Sequence, residues 1–168
     1  MKKTLAAAIA ALAANLASAS CGVLGFWQVV EDDKPESVVA VYEYGGAVYG
    51  RMIALYADDG KTLSETLKNP KEKAKGLKGN PPIVGLDFIW KLKPDSSGLL
   101  CGTVIDPDSG RSFSCDLRLD KKSGKLVMRG RLLFFSQSQY WPPLREDELP
   151  EEARVDVKKF VPSLAAEL

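Results

Sequence analysis

Apolar and polar residues alternate with a period of two along most of the chain. From Phe113 to Leu119 every second residue is apolar, and serine, aspartate and arginine stand between them. A second alternating series runs from Val84 to Leu92. Alternation of this kind is typical of β-strands that turn one face to a core and the other to water. The pattern therefore predicts a protein built mainly from antiparallel strands.

Runs of β-branched and aromatic residues bring the predicted number of strands to about eight. Gly45-Gly46 predicts a tight hairpin between the runs 38–44 and 48–56. The other strands are predicted at 24–30, 84–92, 99–105, 112–120, 126–134 and near 140–141. Eight strands with short connections can close into a barrel that leaves no edge exposed. The predicted fold class is all-β, an eight-stranded antiparallel up-and-down barrel with a short C-terminal helix.

Two segments depart from the alternation. Residues 58–82 are polar and end in glycine, asparagine and two prolines, which predicts a long loop with one helical turn near 64–67. The tail from Arg145 has seven acidic and four basic residues, and Pro150 before two glutamates predicts the start of an amphipathic helix. The predicted organisation is a signal peptide at 1–19, a barrel domain at 20–144 and an acidic helical tail at 145–168.

The first 19 residues have the pattern of a secretory signal. Two lysines precede an apolar stretch at 5–16, and Ala17-Ser18-Ala19 forms a small-residue cleavage site. The stretch is shorter than the roughly 20 residues that cross a bilayer. We therefore expect a mature chain that begins at Ser20, in the periplasm or outside the cell. Two alternatives stay open: lipidation of Cys21, which would anchor the protein to a membrane, and a buried N-terminal helix.

Composition excludes several classes of function. The chain of 168 residues has 45% apolar residues, which fits one globular domain, and it contains no histidine. Without histidine there is no Ser-His-Asp or Cys-His catalytic arrangement and no histidine-ligated zinc. The sequence from Asp106 to Gly110 is explained by turn chemistry, since a calcium loop needs further ligands. We expect no catalysis, no cofactor and no metal.

Net charge gives the expected partners. Removal of residues 1–19 leaves 21 basic and 22 acidic residues. A nearly neutral chain has no evident electrostatic attraction to nucleic acid or to an anionic membrane. We therefore expect no nucleic acid, and membrane contact only through a lipidated Cys21; an envelope protein partner stays open.

Two of the three cysteines flank a predicted turn. If the hairpin around residues 106–110 is centred on Asp108, Cys101 lies directly opposite Cys115. Such residues have Cα atoms about 4.5–5.5 Å apart, within disulfide range. The sequence thus predicts a cross-strand disulfide, with two buried thiols as the alternative. Cys21 is left without a partner.

A longer series of residues carries a family resemblance. Gly25-Phe26-Trp27 matches the G-x-W at the start of lipocalin barrels. The full series resembles the small exported bacterial family filed as domain of unknown function 2147, over roughly residues 22–142. Its residues are Gly25, Trp27, Tyr49, Gly50, Gly85, Leu86, Gly102, Asp106, Pro107, Ser109, Gly110, Cys115, Leu117, Arg129, Gly130 and Trp141.

The resemblance implies a lipocalin-like barrel without an established activity. It also implies that Arg129 packs over Trp27. The chain departs from the family where Leu99 replaces a usual tryptophan and Cys101 a usual glycine. Cys101 then stands opposite a family-typical cysteine, which strengthens the predicted disulfide.

The predicted function is the binding of a small apolar or amphipathic ligand without catalysis. A barrel of eight strands either encloses one small ligand or is filled by its own side chains. By strand phase, the predicted pocket residues are Tyr42, Tyr44, Phe88, Trp90, Phe113, Leu117 and Met128. The alternative is an envelope structural or interaction protein with a filled core, anchored through Cys21 if that residue is lipidated.

Overall fold

The computed structural model describes residues 16–132 and 135–163, and it confirms the predicted all-β barrel. Ten strands replace the expected eight, because two short strands, β4 and β10, add to the eight long ones. The strands are β1 (Gly25–Glu31), β2 (Lys34–Tyr44), β3 (Ala47–Tyr56), β4 (Leu63–Thr66), β5 (Asp87–Pro94), β6 (Leu100–Ile105), β7 (Ser112–Leu119), β8 (Leu126–Leu132), β9 (Phe135–Trp141) and β10 (Pro143–Leu144).

All strands belong to one antiparallel sheet with the order β10-β1-β2-β3-β5-β6-β7-β8-β9, and β4 pairs with the end of β3. The sheet closes because β10 follows β9 in the chain and pairs with β1. The closing seam is short: Phe26 pairs with Leu144 and Trp27 with Pro143. The Gln28 amide also donates to the Pro142 carbonyl at 3.0 Å. Strand β4 occupies the place where the sequence predicted a helical turn.

The closed end of the barrel, which we call the base, carries the β2–β3, β5–β6 and β7–β8 turns. Here the chain before β1 packs against the interior through Leu16 and Val23, and Trp27 Nε1 donates to the Val23 carbonyl at 2.8 Å. Inward side chains at this end are almost fully buried, including Leu126 and Trp141. The lower half of the barrel is therefore filled by its own side chains.

The opposite end, which we call the mouth, carries the β1–β2 and β6–β7 turns, the end of β8 and the start of β9. The segment between β4 and β5 folds over one side of it, and Ala74 and Leu77 join the core. Gly76 donates its amide to the Pro107 carbonyl at 3.0 Å. A Cβ at Gly76 would overlap the backbone of Gly110, so this close approach depends on glycine.

The outer face of β1–β4, which we call the covered wall, is apolar and lies under the C-terminal tail. Val38, Ala40, Ile53 and Ala54 pack there against tail residues such as Leu149. The expected tail helix is instead three 3-10 turns at Glu146–Glu148, Glu151–Ala153 and Val157–Lys159. Extended residues separate the turns, which lets the tail follow a broad sheet surface that a single short helix would touch only along one stripe.

The outer face of β6–β9 together with the β7–β8 turn, which we call the bare wall, is polar. Ser114, Arg118, Ser136, Ser138 and Tyr140 are all exposed on it. In the part of the chain that the structure describes, no helix is long and apolar enough to span a bilayer.

Candidate functional site

The best-placed binding site is a cup on the β6–β9 side of the mouth. Strand pairing puts Val104 and Phe113 opposite each other, and both are partly exposed although they point inward. Gln139 is also partly exposed, and it faces inward because it pairs with the core residue Met128. The inward-facing side chains are thus more exposed to solvent at the mouth than at the base, as in a barrel with one open end.

Gly130 contributes no side chain to this cup. Among the described residues, a Cβ built on Gly130 meets Val104 Cγ1 at 4.0 Å and no nearer atom. Its neighbours across the sheet are Cys115 on β7 and Gln137 on β9. Almost any inward side chain at this position would fill part of the cup, so glycine keeps it open.

Aromatic and soft side chains form the floor of the cup. Phe88 and Met128 belong to the core yet each remains 9% exposed. The Phe88 ring lies 6.3 Å from the Trp141 ring, and Trp141 Nε1 donates to Gln139 Oε1 at 3.1 Å. An apolar floor beneath two glutamine amides suits a small amphipathic molecule.

The structure brings part of the predicted pocket together. Phe88, Leu117 and Met128 are in the core, and Phe113 lies near the mouth. The lining also includes Val104, Gly130, Gln137 and Gln139, which strand phase alone did not identify as ligand contacts. Their strand pairing with Met128, Phe113 and Cys115 is the signal that would have found them.

Three predicted pocket residues lie on the outside of the barrel, so their inward placement was wrong. Tyr42 packs with Tyr49 and the tail residue Phe160, and Tyr44 is exposed next to the β2–β3 turn. Residues 38–42 are all buried, because the core covers one face of β2 and the tail covers the other. A continuous apolar run of this kind does not indicate which residues face inward.

Trp90 is outward because β5 contains bulges. The pairing with β3 shifts register between Asp87 and Ile89. The pairing with β6 shifts again between Trp90 and Lys93. Each extra residue reverses the face on which the next residues of the strand lie. Trp90 therefore meets Tyr49 on the outside, with ring centroids 5.1 Å apart.

A buried polar cluster on the outside of the barrel, which we call the tail latch, binds the tail at Val161 and Ser163. Arg51 donates to both oxygens of Asp87, at 3.0 and 2.6 Å, and to the Val161 carbonyl at 2.6 Å. The Phe160 ring covers the guanidinium at 4.3 Å. Asp87 also accepts the Ser163 amide at 2.7 Å.

Tyr42 completes the tail latch by donating its hydroxyl to Asp87 at 2.8 Å. Burial, and next the hydrogen bond to Asp87, raise the pKa of Tyr42 well above its ordinary value. The phenol thus stays neutral as a donor. The latch fixes the tail and presents no open site for a ligand.

The predicted stacking of Arg129 on Trp27 is wrong. Trp27 points into the core, whereas Arg129 is outward and donates through Nε to Asp116 at 2.8 Å. Arg131 donates to the same carboxylate oxygen. The barrel closes through β9 and β10, which separates β8 from β1.

The predicted disulfide is also contradicted. Cys101 pairs with Asp116, and Cys115 pairs with Gly102, one residue away from the expected register. Neighbouring residues on a strand face opposite sides, so one thiol points outward and the other inward. All three cysteines are free thiols in the described chain, and burial raises the pKa of Cys115 to about 12.

The predicted turn motif is structural. Asp106 accepts hydrogen bonds from the Asp108 amide and the Ser109 hydroxyl, and the Ser109 bond is the main cause that lowers the pKa of Asp106. Gly110 follows with φ of 70°, in the left-handed region. Over the described residues, no cluster of acidic side chains and cysteines has the geometry to hold a metal ion.

Comparisons with known proteins agree with this architecture. A solved structure titled "Protein HP1028 from the human pathogen Helicobacter pylori belongs to the lipocalin family" matches with a TM-score of 0.56 at 18% identity. The match covers 74% of this chain and 84% of that chain. The fold is therefore a lipocalin-like barrel.

The sequence itself belongs to a bacterial family. The family described as "Uncharacterized protein conserved in bacteria (DUF2147)" matches residues 25–142, and the chain is a member of it. The match ends before β10, so the tail that covers the barrel lies outside it. No curated protein sequence matches the chain.

Proposed function

We propose that the protein binds a small apolar or amphipathic molecule in the cup at the mouth, without catalysing a reaction. The observation that carries the proposal is the space that the described residues leave at Gly130, above the apolar floor of Phe88 and Met128. The filled base limits the ligand to a molecule that enters only the upper half of the barrel. The amides of Gln137 and Gln139 favour a hydroxyl or other neutral polar head.

The test fills the cup from within. Dodecanol and dodecanoic acid are titrated against the wild type and the Gly130→Leu variant, with tryptophan fluorescence as the readout. Leucine occupies the space beside Val104, so we expect at least a tenfold weaker affinity and no loss of thermal stability. The matched control is Ser138→Leu, which adds the same side chain to the outside of neighbouring β9.

Equal affinity in the wild type and Gly130→Leu would place the ligand elsewhere. Absence of binding by both probes, together with native mass spectra that show no bound molecule, would favour the second candidate. That candidate is an envelope structural or interaction protein with a filled core. It is supported by the base, where Trp27, Leu126 and Trp141 are almost fully buried.

The proposal places this function in the periplasm or outside the cell, and that location is supported by the signal-like pattern of residues 1–19. Cell fractionation and the intact mass of the purified protein test it. A mass that begins at Ser20 supports export, whereas a diacylglyceryl increment on Cys21 supports a membrane-anchored form. Cleavage before Ser20 also removes Leu16 from the base cluster.

A further inference from the structure

We infer that the bare wall is a docking surface for an anionic phospholipid membrane. The inference does not rest on the cup or its ligand. It starts from the distribution of charge, because near-neutrality of the whole chain conceals two opposite regions. The tail from residue 145 has seven acidic and four basic residues, whereas the bare wall combines six basic residues with two acidic ones. The basic residues are Arg118, Lys121, Lys122, Lys125, Arg129 and Arg131.

Both acidic residues within the bare wall are already engaged, and two more, Asp32 and Asp33 of the β1–β2 turn, lie at its edge near Lys125 and Tyr140. Asp116 is buried and bound by Arg129 and Arg131. Asp120 accepts hydrogen bonds from the Lys122 amide and the Ser123 hydroxyl within its own turn. The positive charges face outward, since the Arg129 and Arg131 side chains are 31% and 46% exposed.

The arginine pair is suited to phosphate. Arg129 donates to Asp116 through Nε and Arg131 through one terminal nitrogen, so the other N–H groups of each guanidinium have no partner among the described residues. Guanidinium groups bind phosphate oxygens in pairs. The exposed hydroxyls of Ser114, Ser136 and Ser138 flank the arginines and can donate to the same kind of acceptor.

Two further observations favour a lipid surface over an acidic protein. Tyr140 is 52% exposed, and strand pairing puts it in one row with Val127 and Arg118. Tyrosine is enriched where membranes meet water, because its ring is apolar and its hydroxyl is polar. The bare wall also has small hydroxyl side chains in place of the deep apolar pockets that anchor protein partners.

The N-terminal segment points to the same side of the molecule. A Cβ at Gly22 would lie 2.8 Å from Leu119 Cδ2, so the chain before β1 passes beside the end of β7. The turn with Lys121 and Lys122 comes immediately after β7. Cys21, where lipidation stays open as an alternative, is the residue directly before Gly22. A membrane that met the N-terminal segment would therefore also meet the lysine turn.

The experiment measures sedimentation of the protein, purified in the N-terminal form that its cell makes, with vesicles of phosphatidylglycerol and phosphatidylcholine. Each basic residue near an anionic surface contributes about fivefold to partitioning. We expect binding to the mixed vesicles that is lost at about 0.5 M NaCl, where charges are screened within a few ångströms. The variant Arg118→Gln/Lys121→Gln/Lys122→Gln should lower partitioning at least tenfold.

The matched control is Lys68→Gln/Lys75→Gln/Lys158→Gln, which removes the same charge from exposed positions outside the bare wall. It should change partitioning less than twofold, and Tyr140→Ser should lower it severalfold. Equal losses in the two triple variants would overturn the inference, as would equal binding to pure phosphatidylcholine. Binding to soluble polyglutamate but not to vesicles would assign the bare wall to an acidic protein and also overturn it.

Discussion

The tail latch at the edge of the covered wall and the bare wall each hold a buried aspartate bound to arginine, yet the two sites differ in what surrounds them. Asp87 on the covered side pairs with Arg51, whose side chain is only 11% exposed under the tail. Asp116 on the bare side pairs with two arginines that remain open to water. The first ion pair is sealed by Phe160, while the second still has charge to offer a partner. Burial of the cation, rather than of the carboxylate, separates this structural pair from the pair on the proposed docking surface.

The largest expected effect tests this difference directly. Asp87→Asn leaves the buried Arg51 charge without its partner, and we expect it to lower the free energy of unfolding by about 3–5 kcal/mol. Asp116→Asn leaves arginines that water can solvate, so we expect a loss of about 1–2 kcal/mol. Urea unfolding of both variants checks the comparison. Equal losses would show that the exposure of the arginines does not matter.

The second largest effect is expected for Phe160, the tail residue whose ring covers Arg51. Phe160→Ala removes the ring over Arg51 and Tyr42, and we expect a loss of about 2 kcal/mol, less than for a fully buried phenylalanine. The control is Val161→Ala, because Val161 is 60% exposed and should change stability by less than about 0.5 kcal/mol. Urea midpoints measure both. A neutral Phe160→Ala would mean that the tail does not stabilise the covered wall.

Alkaline pH should weaken the covered wall through Tyr42. The folded pKa of this phenol is raised, so its contribution is complete below the unfolded pKa of about 10 and is lost as pH rises above that value. By pH 11 we expect a loss of about 1 kcal/mol that is absent in Tyr42→Phe. Tyr140→Phe on the bare wall is the control and should keep the wild-type pH profile. Identical profiles for all three proteins would contradict the assignment.

The smallest effect is expected for the bare wall's thiol. Cys101 is a free, partly exposed residue, so Cys101→Ser should alter stability by less than about 0.5 kcal/mol. A bridge to Cys115 would instead make the same change cost about 3 kcal/mol. Native thiol titration adds a second measurement: Cys21 and Cys101 should react before unfolding, and the buried Cys115 only after it.

The sequence predicted the barrel because alternation survives wherever one strand face meets core and the other meets water. Strand β7 is such a case, and its inward residues Cys115 and Leu117 were assigned to the correct face. The prediction failed on the covered wall, where the tail buries the second face of β2, and in β5, where bulges reverse the phase before Trp90. It failed again at the cysteines, where a one-residue change in register separates two thiols that the resemblance and the turn had placed together.

The candidate site was only partly predictable for a related reason. Strand phase and side-chain type predicted aromatic and flexible apolar residues as ligand contacts. Two of these residues, Phe88 and Met128, lie beneath the cup. The cup itself, however, depends on the absence of a side chain at Gly130. Space depends on the register of three neighbouring strands, which local sequence patterns do not specify.

The short seam between β1 and β10 has a consequence for the motions of the barrel. Most neighbouring strands exchange long ladders of hydrogen bonds, but this junction consists of two residue pairs and the bond from Gln28 to Pro142. Amide hydrogens along β1 on this side should therefore exchange with deuterium sooner than those between β2 and β3. The tail continues directly from β10 to the tail latch, so a latch that opens would release one side of the seam. Fast exchange of the Gln28 amide would then show that Arg51 no longer holds the tail at Val161.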